Sequence, residues 1–300
     1  MTANPVMPLL AAILLAGCAG LPFRPHAPGD PWDEDAGAEP GPPPTGERDW
    51  SGFVALGAWA PSSDGQGTTP AGTGDGPDGD GSAVSLRVGG SWDLRPRGAD
   101  GAPTGETFDW VPQGWRTFVG AEFEFIEART SGSGADDPSL DLRAYRLIVP
   151  VGIRRPGPWP GADEHRFELT LGWAHHDLDL EDGDLAAVGA DDSPSYSGAL
   201  IGLRAAVGVG HRVFLFAGGE AGGETDDDLI DENEEGIAGW SAGAGIHLAR
   251  GVTLRGGWRG LHLDSREEDR GLFLFVPVFR RVEKSRVDLS GPFLELVVSF

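Results

Sequence analysis

The chain has a single cysteine, Cys18, among 300 residues, so no disulfide can form within it. Cations are scarce too: 23 Lys and Arg stand against 47 Asp and Glu, a formal charge of -24. Sequence-independent binding to nucleic acid needs clustered Lys and Arg to neutralise phosphate, and this balance argues against it. No apolar run approaches the roughly 20 residues that a membrane-spanning helix requires. Phosphate-cradling glycine loops, zinc-spaced Cys/His sets and nucleophile elbows are missing as well, so no cofactor or resident metal is implied. What the chain has in quantity is glycine (48), proline (24) and tryptophan (10). Such a composition favours turns and small-residue strand faces over long helices. A membrane protein remains open, because barrels span with alternating strands of about 10 residues.

The N-terminal segment has an apolar core at 8–15 (PLLAAILL) followed by Ala16, Gly17 and Cys18. It is too short to span and has the form of a secretory signal. The run Leu15-Ala16-Gly17-Cys18 resembles the lipobox of bacterial lipoproteins. That resemblance implies cleavage before Cys18 and acylation of the cysteine, with Ala19 directing the anchored chain to the outer membrane. Residues 19–48 are mostly Pro, Gly, Ala, Asp and Glu, with too little apolar surface for a core, and read as a solvated tether. The expected organisation is a signal peptide over 1–17, a lipid-anchored linker over 18–48 and a folded domain over 49–300.

From Trp50 on, strand signals recur between Gly, Pro and Asp clusters. Val84, Leu86, Val88 and Trp92 share one face, opposite Ser85, Arg87 and Ser91. The same alternation sets Val119, Ala121 and Phe123 against Glu122 and Glu124, and Leu147, Val149 and Val151 against Arg146 and Pro150. It continues with Leu169 and Leu171 against Glu168 and Thr170, then Ile201 and Leu203 against Gly202 and Arg204. Residues 212–219 are ambiguous in face. Trp240, Ala242 and Ile246 oppose Ser241 and Gly243, and Leu254 and Trp258 oppose Arg255 and Arg259. Leu294, Leu296, Val298 and Phe300 share one face of a last strand.

A water-soluble sandwich would be densely polar outside, whereas here the polar face is glycine, serine, threonine and isolated charges. Small residues and paired charges suit a narrow lumen, and the apolar face with its tryptophans suits lipid. The chain therefore reads as all-β, an antiparallel up-and-down transmembrane barrel of about ten strands, with eight or twelve as alternatives. Long acidic links (61–83, 178–195, 222–236) fall at one end and tight links (210–211, 249–251) at the other; the link at 95–114 departs from this rule. The run LFLFVPVF at 272–279 is expected to belong to a final hairpin extending beyond the membrane rather than to a strand of its own.

Residues 258–264 (WRGLHLD), 287–293 (VDLSGPF) and the terminal Phe300 resemble the closing hairpin of small bacterial outer-membrane β-barrel proteins. The terminal aromatic, with Leu296 and Val298 before it, is similar to the signal read by the barrel-assembly machinery. The resemblance implies outer-membrane location, contact with outer-membrane lipid and lipopolysaccharide, and a lipid anchor on the periplasmic side. A monomer is expected.

Three constellations bear on function. Arg87, Glu122, Glu124, Arg146, Glu168, Arg204, Arg255 and Arg259 point inward and should pair across the lumen as a polar plug or line a narrow path for ions or solutes. His176 with Asp177 or Asp179 offers the elements of a general base for a barrel-wall protease or lipid deacylase. The acidic run at 224–235 could gather divalent cations, although it lacks EF-hand spacing and reads first as a solvated surface. The leading expectation is a non-enzymatic role in structure or cell-surface interaction.

Overall fold

The alternation that marks each strand closes into a ring. In a computed structural model, the described residues are 50–69, 72–75, 79–94, 108, 110–132, 139–157, 163–181, 195–209, 212–227, 231–273 and 276–300. The signal and tether expected over 1–48, with Cys18, lie outside them.

Strand β1 runs through Trp50–Trp59 and resumes at Ser62–Thr69; β2 is Gly72–Asp75 followed by Gly79–Leu94. The eight that follow are β3 (Arg116–Gly132), β4 (Ser139–Pro156), β5 (Asp163–Glu181), β6 (Ser195–Gly208), β7 (Val213–Asp227), β8 (Asp231–Ala249), β9 (Val252–Phe273) and β10 (Val276–Ser299). Every strand pairs antiparallel with its sequence neighbours, and β10 pairs with β1. The fold is a closed up-and-down barrel of ten strands, which leaves no edge for another chain.

Closure is made where the sequence is most unusual. Phe53↔Ser299 through Trp59↔Phe293 pair below Pro61, and Ser62↔Ser290 through Thr68↔Lys284 pair above it. Proline has no N–H to give the ladder, so it sits at the break between the two segments of β1. Its carbonyl accepts the Gly81 amide at 2.7 Å, and the Ala60 amide donates to Pro292 at 3.0 Å. At the terminal rim Gly52 and Phe300 exchange backbone hydrogen bonds of 3.0 and 2.9 Å.

Several expected long loops are in part paired hairpins. Strands β7 and β8 stay in register to Asp227↔Glu232, so the link at 222–236 narrows to 228–230. The run at 272–279 is the tip of the β9–β10 hairpin, with Leu272 opposite Pro277, as expected of an extension beyond the membrane.

Strands β4 and β5 exchange the polarity of their two faces part-way along. On β4 the inward face reads Leu140, Leu142 and Ala144, all buried, then Arg146; the outward face reads Asp141 and Arg143, then exposed Tyr145, Leu147, Val149 and Val151. On β5 the inward Leu178 and His176 give way to Thr170 and Glu168, while outward Asp177 and Asp179 give way to Trp173, Leu171 and Leu169. The far end of the barrel thus has a hydrophobic core inside it, formed by Leu140, Leu142, Leu178, Tyr196, Ile237 and Leu263 with their neighbours. Nearer the termini the arrangement is reversed, and Leu203 stands 68% exposed on the outer wall. Half-exposed Trp173, Trp240 and Trp258 mark one border of the apolar wall; Trp50 and Trp92, which face each other in register, mark the other.

Candidate functional site

The inward residues of the middle third form one charge network. Arg146, on β4, donates to Glu124 of β3 at 3.3 Å and also pairs with Glu220 of β7. Arg259 of β9 also binds Glu124. Arg204 of β6 reaches Glu122 at 2.9 Å, Glu168 at 3.5 Å and Glu220 at 3.8 Å. Arg87 of β2 lies 3.0 Å from Glu295 and 3.7 Å from Glu122, while Arg255 lies 3.1 Å from Glu295. All eight charged residues singled out by alternation therefore meet in the lumen.

Three members were missed. Glu220 lies in the glycine-rich stretch AGGEAGGE, where the outward residues Ala217, Gly219 and Ala221 are too small to mark a face. Inward Phe214 and Phe216 on the same strand blur it further. Glu295 stands between Leu294 and Leu296, and the alternation that identified Glu122 would have found it. Arg166 lies two residues before Glu168 on the same inward face, one step beyond the alternation named around Leu169 and Leu171; it donates to Glu168 at 2.6 Å.

A second cluster fills part of the terminal rim. Arg154 binds Asp93 at 2.5 Å and donates to the Ser91 hydroxyl at 3.0 Å, and Arg116 reaches the other Asp93 oxygen at 3.1 Å. Arg166 and Arg154 also stack on fully buried Phe118, at 4.4 and 5.3 Å from its ring centroid. Guanidinium groups suit this task because they stack on a ring while keeping in-plane donors for carboxylates.

This combination of closed ladder, apolar outer wall with aromatic borders, and charged interior decides the type. The chain is an outer-membrane-type β-barrel. No family model matches it, and no curated protein matches its sequence. Solved structures similar to this barrel include the outer membrane protease OmpT from Escherichia coli, at 10% identity and a TM-score of 0.40, covering 84% of this chain and 96% of that one. The beta domain of the Bordetella autotransporter BrkA is similar at 11% identity and TM-score 0.37, covering 84% and 99%. The COG4313 outer membrane channel from Pseudomonas putida F1 follows at 10% and 0.34, covering 83% and 95%.

The barrel wall separates the histidine candidates. His176 points inward and is fully buried, whereas Asp177 and Asp179 are exposed on the outer face. The contact that forms is outward, between His175 Nε2 and Asp177 Oδ1 at 2.9 Å. His176 lies beyond the Trp173 border, among Leu178, Tyr196 and the rest of the far-end core. The Tyr196 backbone approaches its ring, but among the described residues neither ring nitrogen makes a full hydrogen bond. Burial, followed by the nearby Arg146 charge, pushes its pKa down to about 3. It therefore stays neutral at neutral pH, and no carboxylate orients it as a general base needs. The acidic run at 224–235 is backbone-paired at its base, while its tip at 228–230 lies outside the described residues, and no metal-holding group of three or more His, Cys, Asp or Glu occurs among the described residues.

Proposed function

We propose that the protein is a bacterial outer-membrane barrel whose lumen is closed to through-flow and whose role is structural or interactive at the cell surface. The observation that carries this reading is a double seal along one axis. Interlocked Arg and Glu side chains cross the middle of the lumen, and an apolar core fills its far end. Buried charges tolerate a low-dielectric lumen only when paired, so the network also holds the strands together. On this reading the rim with Trp50 and Phe300 faces the periplasm, the far-end hairpins face outward, and the apolar wall meets lipid and lipopolysaccharide. Leu296, Val298 and Phe300 then lie where the assembly machinery would read them, and the barrel acts as a monomer. Acylation of Cys18 completes the proposal: palmitate labelling should vanish in Cys18→Ala.

Planar-bilayer recording tests closure. The wild-type barrel is expected to give no discrete conductance steps. Reproducible steps that change size in Arg146→Ala would instead establish a narrow channel through the network.

A further inference from the structure

Below the charge network the lumen is not filled. A cavity of about 170 Å³ lies between Arg204 and Arg255 above and Asp163 and Ser299 at the rim. Its walls differ in kind. Phe53, Phe214 and Val297, from β1, β7 and β10, make an apolar side, and Arg87, Arg166, Arg204 and Arg255 bring guanidinium groups to the same space.

These four cations are unequally held: Arg87 lies 3.0 Å from Glu295 and 3.7 Å from Glu122. Arg166 lies within 4.0 Å of three carboxylates (Asp163, Glu168 and Glu122), and so does Arg204 (Glu122, Glu168 and Glu220). Among the described residues Arg255 has only Glu295 within 4.0 Å, which it shares with Arg87. One face of its guanidinium is covered by the Phe216 ring at 4.2 Å, which leaves the terminal nitrogens of a side chain still 21% exposed for an anion. A cation short of partners in a recess of low dielectric favours an incoming negative group.

We propose that this cavity is a binding site for a small carboxylate with an apolar body, such as a monocyclic arene or a short acyl chain. The acid group sits on Arg255 and the body lies against Phe53, Phe214 and Val297. A multiply charged anion is disfavoured, because Glu122, Glu168 and Asp163 share the cavity. The volume is below the roughly 300 Å³ at the small end of drug-sized pockets, which limits the body to about one ring. The site goes beyond the closed-lumen reading and does not depend on it, since the charge layer forms its upper wall and the cavity extends from there toward the terminal rim.

Calorimetric titration of the full folded barrel in detergent micelles, with benzoate as the probe and benzamide as its uncharged counterpart, tests the assignment. Benzoate is expected to bind saturably, with benzamide and the Arg255→Gln variant each weaker by about tenfold or more, the usual worth of a charge-assisted pair. Val297→Trp, which fills the apolar wall and leaves the charge in place, should abolish binding. Folding of each variant is read from heat-modifiable gel mobility. If Arg255→Gln does not fold, Val297→Trp decides alone. Absence of saturable benzoate binding to the wild type, equal affinity for benzamide, or unchanged binding in either variant overturns the proposal.

Discussion

Arg87 crosses over β1 to bind Glu295 at 3.0 Å, tying the second strand of the barrel to the last across the seam where the ring closes. Because Glu295 also serves Arg255, the two sides of the contact are unequal in weight.

Removing the carboxylate should therefore cost more than removing the cation. Glu295→Gln leaves two guanidinium groups short of charge, whereas Arg87→Met leaves Glu295 still paired with Arg255. Breaking a buried pair from one side costs roughly 3 kcal/mol, and replacement of a charge by a packed apolar chain is cheaper. Urea unfolding of the refolded barrel is expected to rank wild type above Arg87→Met, and Arg87→Met above Glu295→Gln. The reverse order of the two variants would mean that the shared carboxylate is not the centre of the seam.

His176 should give the barrel a pH dependence of definite sign. Its folded pKa, near 3, lies below the ordinary 6.5, so the unfolded chain takes up the proton first. Stability is then flat above pH 6.5 and falls as pH drops from 6.5 toward 3, by up to about 1.4 kcal/mol per pH unit. His176→Phe should remove that slope between pH 6 and 4 in thermal melts. A slope left intact by the substitution would assign it to other groups.

Much of this was readable before any fold was drawn, for a physical reason. Period-two alternation is set by the strand itself, so the inward placement of Arg87, Glu122, Arg146 and Arg204 followed from spacing alone. The far-end core was not read, although Leu140, Leu142 and Leu178 obey the same alternation. They lie opposite Asp141, Arg143, Asp177 and Asp179, a pattern that by itself describes a soluble sheet and not a membrane one. Partners across the lumen could not be read at all. Glu295 meets Arg87 through closure of the ring, which alternation along one strand does not encode.

Gly291 is a point of close approach at that closure. A Cβ placed there would overlap the Ala60 carbonyl oxygen beside Pro61, a backbone atom that cannot rotate away. Gly291→Ala should destabilise the barrel by about 1–3 kcal/mol, the range for overpacking. At Gly236 a Cβ would meet nothing nearer than 3.6 Å, so Gly236→Ala should be close to neutral. The fraction of folded band after refolding, run side by side for the two variants, checks the difference.

Phe300 allows stability and assembly to be separated. Its ring packs edge-on to Trp50 at 6.1 Å between centroids and is 56% exposed, so truncation loses little packing. Phe300→Ala should cost at most about 1 kcal/mol in vitro. If the terminal aromatic is an assembly signal, the same variant should be inserted far less efficiently in cells while refolding normally into vesicles. Equal insertion of both proteins in cells would leave Phe300 with packing alone.

The exchange of face polarity along β4 and β5 works as a depth gauge. The changeover, at Trp173 on β5 and Tyr145 on β4, marks one border of the apolar wall, opposite the border at Trp50 and Trp92. Moving the changeover by one inward–outward pair on every strand would raise or sink the cylinder by about 5–7 Å, given the rise per residue and the strand tilt. The depth at which the barrel sits is thus set by a level on the wall, and the thickness it spans by the distance from that level to Trp50 and Trp92.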